Sequence, residues 1–157
     1  AAMVPADCVA DLAALWVTVV TQPNFISERG DEYLSDVPRD EHDQLWRIAT
    51  LEKAGVPVAL STDAPFGAPD PWVAMRSAVR RSTPSGGTIA PAERISALRA
   101  VQGFCGHAHE PALPRLIEPE QPADLCVLAA PPSQVLVELD ADLVAATLVA
   151  GVPIYMA

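Results

Sequence analysis

Val56-Pro57-Val58-Ala59-Leu60-Ser61-Thr62-Asp63-Ala64-Pro65-Phe66-Gly67 is the stretch that decides the fold. Its first half is a short apolar, β-branched run after Gly55, the pattern of a strand buried on both faces of a parallel sheet. A helical pattern leads straight into it, so the local unit is helix, tight turn, strand. The second half changes abruptly to Thr-Asp-Ala-Pro and then Gly. Proline cannot donate to a ladder, so Pro65 ends the strand near Thr62. Asp63 then sits just past the carboxyl end of a buried strand. Parallel α/β folds place their chemistry at that edge. A carboxylate there is a candidate general base or metal ligand. The plainer reading is an Asp whose side chain only stabilises the turn. The stretch alone leaves both open.

The 157 residues, half of them hydrophobic, suffice for one domain with a real core. No apolar run reaches membrane-spanning length, so a soluble protein with no membrane partner is expected. No basic segment followed by an apolar run opens the chain, so no signal peptide is expected. Twenty acidic residues face ten basic ones, a formal net charge of -10. That argues against a nucleic-acid partner, whose phosphates need clustered Lys and Arg. Cys8, Cys105 and Cys126 are scattered and odd in number. They suit buried, reduced thiols of a cytoplasmic protein better than a disulfide framework. None belongs to a C-x-x-C pair, which argues against a zinc ribbon.

Outward from the central strand, the pattern predicts a helix over 5–15 and a strand over Val17–Gln22 closed by Pro23. Residues 23–39 mix Pro, Gly, Asn, Ser and charges without a period and read as a long loop. A helix is expected from Glu41 to Ala54, with Asp40 as N-cap and Gly55 at C′. Beyond the Asp63 loop, Asp70 caps a helix that starts at Pro71 and runs to about Arg81. Residues 82–90 read as a loop and Pro91–Cys105 as a helix. Residues 106–123 are rich in Pro and lack a period. Asp124–Ala129 reads as a strand, and Leu143–Tyr155 as two strands joined by a tight turn at Ala150-Gly151. The first part alternates helices and strands, which means a parallel sheet. Two strands cannot complete such a sheet. The expectation is therefore the end of a larger barrel or sheet.

Several tempting features have plainer readings. His107-x-His109 follows a helix, far from any strand end, and reads as a solvated loop. His42 reads as exposed, and Trp46 and Trp72 as packing residues. Asp124 reads as structural, bonding backbone. Ser61 and Ser133 have no His and Asp partners in their sequence context, so no serine triad is supported.

Four segments carry a resemblance: Val17-Thr-Val-Val-Thr-Gln-Pro23; Leu51 to Pro65, ending Ser-Thr-Asp-Ala-Pro; Ala123-Asp-Leu-Cys-Val-Leu128; and Ala146-Thr-Leu-Val-Ala-Gly-Val-Pro-Ile-Tyr155. In order and spacing they resemble the carboxyl-terminal third of the amidohydrolase superfamily, most of all its amidohydrolase-3 (YtcJ-like) group. The resemblance implies α/β structure: the last two β/α units of a (β/α)8 barrel, plus carboxyl-terminal strands of a small β-sandwich, hence an incomplete barrel. Residues 1–115 would be the barrel part and 116–157 the sandwich strands.

It also implies a metal-dependent hydrolase acting on amide-type C–N bonds of a small-molecule substrate. Full-length members hold one or two divalent metals, zinc above all. Of their ligands only the strand-eight Asp has a counterpart here, Asp63, and the strand-six His would lie just before Ala1. The implied mechanism has the metal activate a water and polarise the carbonyl, while Asp63 takes the water's proton and passes it to the leaving nitrogen. Gln22, Asn24 and Phe25 follow the other strand and would face the same mouth as substrate-binding residues. Trp16 stands where a Gly commonly precedes strand seven, and Glu120-Gln121-Pro122 replaces the usual Gly-Lys.

One carboxylate is not a zinc site. This chain alone is therefore expected to be inactive and to hold no metal, acting with the missing barrel portion or as a homo-oligomer. The alternative is a non-catalytic interaction or scaffold module derived from such a barrel.

Overall fold

The computed structural model describes all 157 residues as a mixed α/β chain with small sheets. It separates into two compact units, Ala1–Pro114 and Arg115–Ala157. No helix is long and apolar enough to cross a membrane.

The first unit contains α1 (Cys8–Ala14), β1 (Val19–Thr21), α2 (Asn24–Asp36), α3 (Ile48–Lys53), β2 (Val58–Leu60), α4 (Pro71–Arg80), α5 (Ala97–Gln102), β3 (Gly106–His107) and β4 (Glu110–Pro114). The two expected strands pair in parallel, Val19 opposite Val58 and Thr21 opposite Leu60. β2 is buried throughout, whereas Val20 in the middle of β1 is half-exposed. On the edge of β1 away from β2, the Val20 carbonyl accepts the Ala1 amino group at 2.7 Å.

The expected loop over 23–39 is instead largely α2, the longest helix. Ile26, Gly30, Tyr33, Leu34 and Val37 do fall at helical spacing. Pro, Asn and Gly mask that stripe in the sequence, and tertiary packing overrides their propensity. Gly30 is there for space: a Cβ would lie 2.7 Å from Thr83 Cγ2. α2 and the Leu45–Trp46 pair close one core cluster of Phe25, Ile26, Leu45, Trp46, Ile89 and Ala90.

The expected helix from Glu41 to Ala54 is two pieces, a 3₁₀ turn at Arg39–Gln44 and α3. Between them Leu45 is extended and Trp46 has φ +46. Arg81 explains the break. Its guanidinium is fully buried and donates to the carbonyls of Leu45 (2.7 Å), Trp46 (3.0 Å) and Ile89 (2.8 Å). The Leu45 and Trp46 carbonyls are turned to that guanidinium instead of to a helix ladder, and the Trp46 carbonyl also accepts Ile48 N–H at 2.7 Å. Burial lowers the Arg81 pKa to about 10, against the pull of Glu93's negative charge.

Helix α4 forms as its signals require. Asp70 accepts the Trp72 N–H at 2.8 Å, Pro71 opens the first turn, and Arg81 closes the helix with φ +58. The expected helix 91–105 shortens to a 3₁₀ turn at Pro91–Glu93 and α5, because Ser96 caps Arg99 N–H and starts the helix there. Part of the supposedly aperiodic 106–123 forms the β3–β4 hairpin, with His107 opposite Glu110. Gly106 is obligatory in it, since a Cβ would sit 1.9 Å from the Pro111 carbonyl oxygen.

The second unit is an antiparallel sheet ordered β5 (Leu125–Leu128), β6 (Val144–Val149), β7 (Val152–Met156), with α6 (Pro132–Glu138) between β5 and β6. α6 has no counterpart in the sequence reading. Asp124 anchors the β6–β7 turn: its carboxylate accepts Ala150 N–H at 2.8 Å and pairs with Arg115 at 2.9 Å. These bonds hold its pKa below the ordinary carboxylate value. The cysteines correct an expectation. All three are exposed rather than buried, and none forms a disulfide. His42 is half-buried rather than exposed, its Nε2 2.9 Å from the Val37 carbonyl. Trp46 and Trp72 are buried.

Candidate active site

The site is built where β1 and β2 end. Asp63 follows β2 by three residues and is exposed. Its φ of +59 is left-handed, a region Asp tolerates better than most residues because its short polar side chain is little hindered there. The turn is closed by its carbonyl, which accepts Phe66 N–H at 2.9 Å and Gly67 N–H at 3.1 Å. The carboxylate itself takes no part in that turn, so the side-chain turn role weighed from the sequence is not what holds the loop. Its charge is felt by the Ala1 amino group, whose pKa burial lowers and Asp63 pulls back up.

Gln22 lies between the strand ends, half-buried, and donates from Nε2 to Ser61 Oγ at 3.0 Å. Asn24 is fully buried. Its Nδ2 donates to the Thr62 carbonyl at 3.1 Å and to Glu28 Oε1 at 3.0 Å, while its Oδ1 meets no donor. Because both partners are acceptors, they fix which end of the amide is nitrogen. Glu28 Oε1 also accepts Ala68 N–H at 3.1 Å. Thus the first turns of α2 grip the Asp63 loop from both sides. Gly67 makes the grip possible, since a Cβ there would come 2.3 Å from Thr62 O and 2.5 Å from Asn24 Nδ2.

Phe25 is buried in the α2 core and meets the exposed Phe66 ring edge to face at 5.7 Å. Arg29 lies over both rings, 4.3 Å from the Phe66 centroid and 5.4 Å from that of Phe25. The structure therefore brings Asp63, Gln22, Asn24 and Phe25 to one sheet edge. Sequence reasoning missed Glu28, Arg29 and Phe66, because 23–39 read as a loop. Helical spacing from Phe25 to Arg29, four residues on, was the signal that could have found the arginine.

No group of three or more His, Cys, Asp or Glu side chains converges to hold a metal, so the donors present do not form a metal centre by themselves. His107 and His109 face each other with ring centroids 5.6 Å apart and gain no third ligand. A cavity of about 220 Å³ lined by Ser27, Val73, Arg76, Ser77, Arg80 and Ser82 holds none of the expected site residues. The candidate site lies at the strand ends, outside that cavity.

The sequence of the amidohydrolase family matches residues 1–155. The chain belongs to the amidohydrolase family. Solved structures agree. An uncharacterized metal-dependent hydrolase from Pyrococcus furiosus is 27% identical with a TM-score of 0.57, over 71% of this chain and 22% of that one. A second, from Pyrococcus horikoshii OT3, shares the fold at 24% identity and TM-score 0.58, over 66% of this chain and 22% of that one. The amidohydrolase chain thus spans about a fifth of the length of these structures. A search of curated proteins returned no match.

Proposed function

We propose that this chain is the carboxyl-terminal part of a metal-dependent amidohydrolase that cleaves amide-type C–N bonds of a small molecule. Asp63 is the acid it contributes to the catalytic mouth. The observation that carries this reading is Asp63 itself: an exposed carboxylate, outside its own turn, at the carboxyl end of a buried parallel strand. On this reading β1 and β2 are the last two strands of a (β/α)8 barrel, and β5, β6 and β7 belong to a small sandwich. The chain's own donors do not make a metal centre. The divalent metal, zinc by family chemistry, would need ligands from the missing barrel portion or a second copy of the chain.

Asp63 acts as the proton carrier, taking a proton from the attacking water and returning it to the leaving nitrogen. Gln22, Asn24 and Phe25 line the mouth. Gln22 is half-exposed and can turn its amide to substrate. Asn24 Oδ1 and Phe25 act from behind, the first as an acceptor awaiting a donor, the second as the floor under Phe66. The family resemblance and the absence of membrane-spanning helices support a cytoplasmic setting.

One observation favours the second reading, a non-catalytic module. The outer edge of β2 is already engaged: Leu60 N–H donates to Gly103 O at 2.9 Å, and Arg99 donates to Val58 O at 2.6 Å. A closed barrel would exchange these bonds for a neighbouring strand. The test is hydrolysis of a panel of N-acyl compounds by the protein expressed with its upstream coding sequence, wild type and Asp63→Asn. Turnover that falls about 10²–10⁴-fold in Asp63→Asn supports the hydrolase. Equal turnover in both, or none in either, overturns it in favour of the module.

A further inference from the structure

We propose that Arg29, laid against Phe66, is a carboxylate-binding group, and that the ligand of this mouth carries a carboxylate. The inference deepens the hydrolase reading and rests on it for the word substrate. A helical side chain leans toward its own N-terminus. Arg29, on the second turn of α2, therefore points back over Phe25 to the Asp63 loop and reaches the Phe66 ring at 4.3 Å. Its guanidinium has no carboxylate partner, although Glu28 precedes it and Glu32 stands at i+3.

Three acids of the same region are otherwise engaged. Glu28 accepts from Asn24 and Ala68, and Asp31 accepts Ser85 N–H at 2.9 Å and its hydroxyl at 2.7 Å. Asp70 accepts Trp72 N–H. Arg29 is left over the two rings without an ion-pair partner.

A guanidinium stacked on a ring keeps its N–H edge open, and that edge matches two coplanar oxygens. Stacking also fixes the fork beforehand, which lowers the entropy lost on binding. A single guanidinium, one unit of charge, suits a singly charged carboxylate better than a phosphate. The Phe66 ring, 65% exposed, offers apolar surface beside it.

The experiment is an NMR titration of the purified, metal-free 157-residue chain with benzoate, with benzamide as the uncharged isostere and inorganic phosphate as competitor. Expected are saturable shifts of the Arg29 Nε–H and Phe66 resonances with benzoate and none with benzamide. Affinity should fall about tenfold or more in Arg29→Gln, and less in Arg29→Lys. If Arg29→Gln does not fold, Arg29→Lys and Phe66→Leu carry the comparison. Absent shifts, equal binding of benzamide, indifference to Arg29, or tighter binding of phosphate would each overturn the proposal. Benzoate binding without Asp63-dependent turnover would fail the hydrolase reading alone. Turnover without benzoate binding would fail this one alone.

Discussion

Asp63 and Gly30 show how single residues divide the work between chemistry and packing. The Asp63 turn is closed by backbone, so Asp63→Asn should change stability by no more than about 0.5 kcal/mol in a denaturant melt. A large loss would mean that the carboxylate is structural after all. Gly30→Ala should cost about 1–2 kcal/mol net, because a new methyl meets buried Thr83 and this outweighs the better helix propensity of Ala. Arg81→Met should cost roughly 2–4 kcal/mol, since it leaves the buried Leu45 and Ile89 carbonyls without this donor and the Trp46 carbonyl with only Ile48 N–H, offset in part by removing a buried charge. At this scale the sequence was readable where a residue obeys local rules. Asp70, Pro71 and Gly55 stand where capping chemistry puts them, and Trp16, at a position where glycine is common, indeed has φ +53. Arg81 was not readable, because nothing local says that a surface residue type will be buried by three distant carbonyls.

At the scale of elements, strands declared themselves by composition and helices only in part. β1, β2, β5, β6 and β7 are short apolar runs bounded by Pro or Gly, and tertiary structure leaves them where their pattern puts them. α2 was hidden because its buried stripe includes Gly30 and its start carries Pro23 and Asn24, all loop-like in isolation. With α2 went two residues of the candidate site, Glu28 and Arg29. The expected helix at 41–54 was cut short by a contact that only the fold supplies, Arg81, and that at 91–105 by the local Ser96 cap on Arg99 N–H. The β6–β7 turn gives a prediction in pH. Hydrogen bonds from Ala150 and Arg115 hold Asp124 below its unfolded value of 3.8. Bonds from Thr83 and Ser85 do the same for Asp31. Both groups therefore stabilise the fold fully above that value and lose the contribution as pH falls through their lowered folded pKa. Amide exchange at Ala150 should accelerate below about pH 4 beyond the intrinsic trend, and Asp124→Asn should remove that step. An unchanged profile would contradict the anchoring role.

At the scale of the whole molecule, the parallel sheet has two strands, one outer edge of which is met by Ala1. Leu15, Trp16, Val17, Val20 and Phe66 expose apolar surface in the first unit, and Val152, Ile154 and Met156 in the second. Surfaces of that kind mark contacts with other protein. The isolated chain should therefore self-associate in sedimentation velocity at micromolar concentration, and a strictly monomeric profile would count against an incomplete barrel. The family was legible from the order of four segments. The proposed metal centre was not, because on that reading most of its ligands come from outside these two strands. The most direct measurement is metal per chain at neutral pH, by elemental analysis, for the 157-residue chain and for the protein carrying its upstream sequence, each as wild type and Asp63→Asn. The account predicts little metal on the short chain, and at least one ion on the longer protein that Asp63→Asn weakens or removes. Stoichiometric metal on the short chain, or metal on the longer protein indifferent to Asp63, would contradict it.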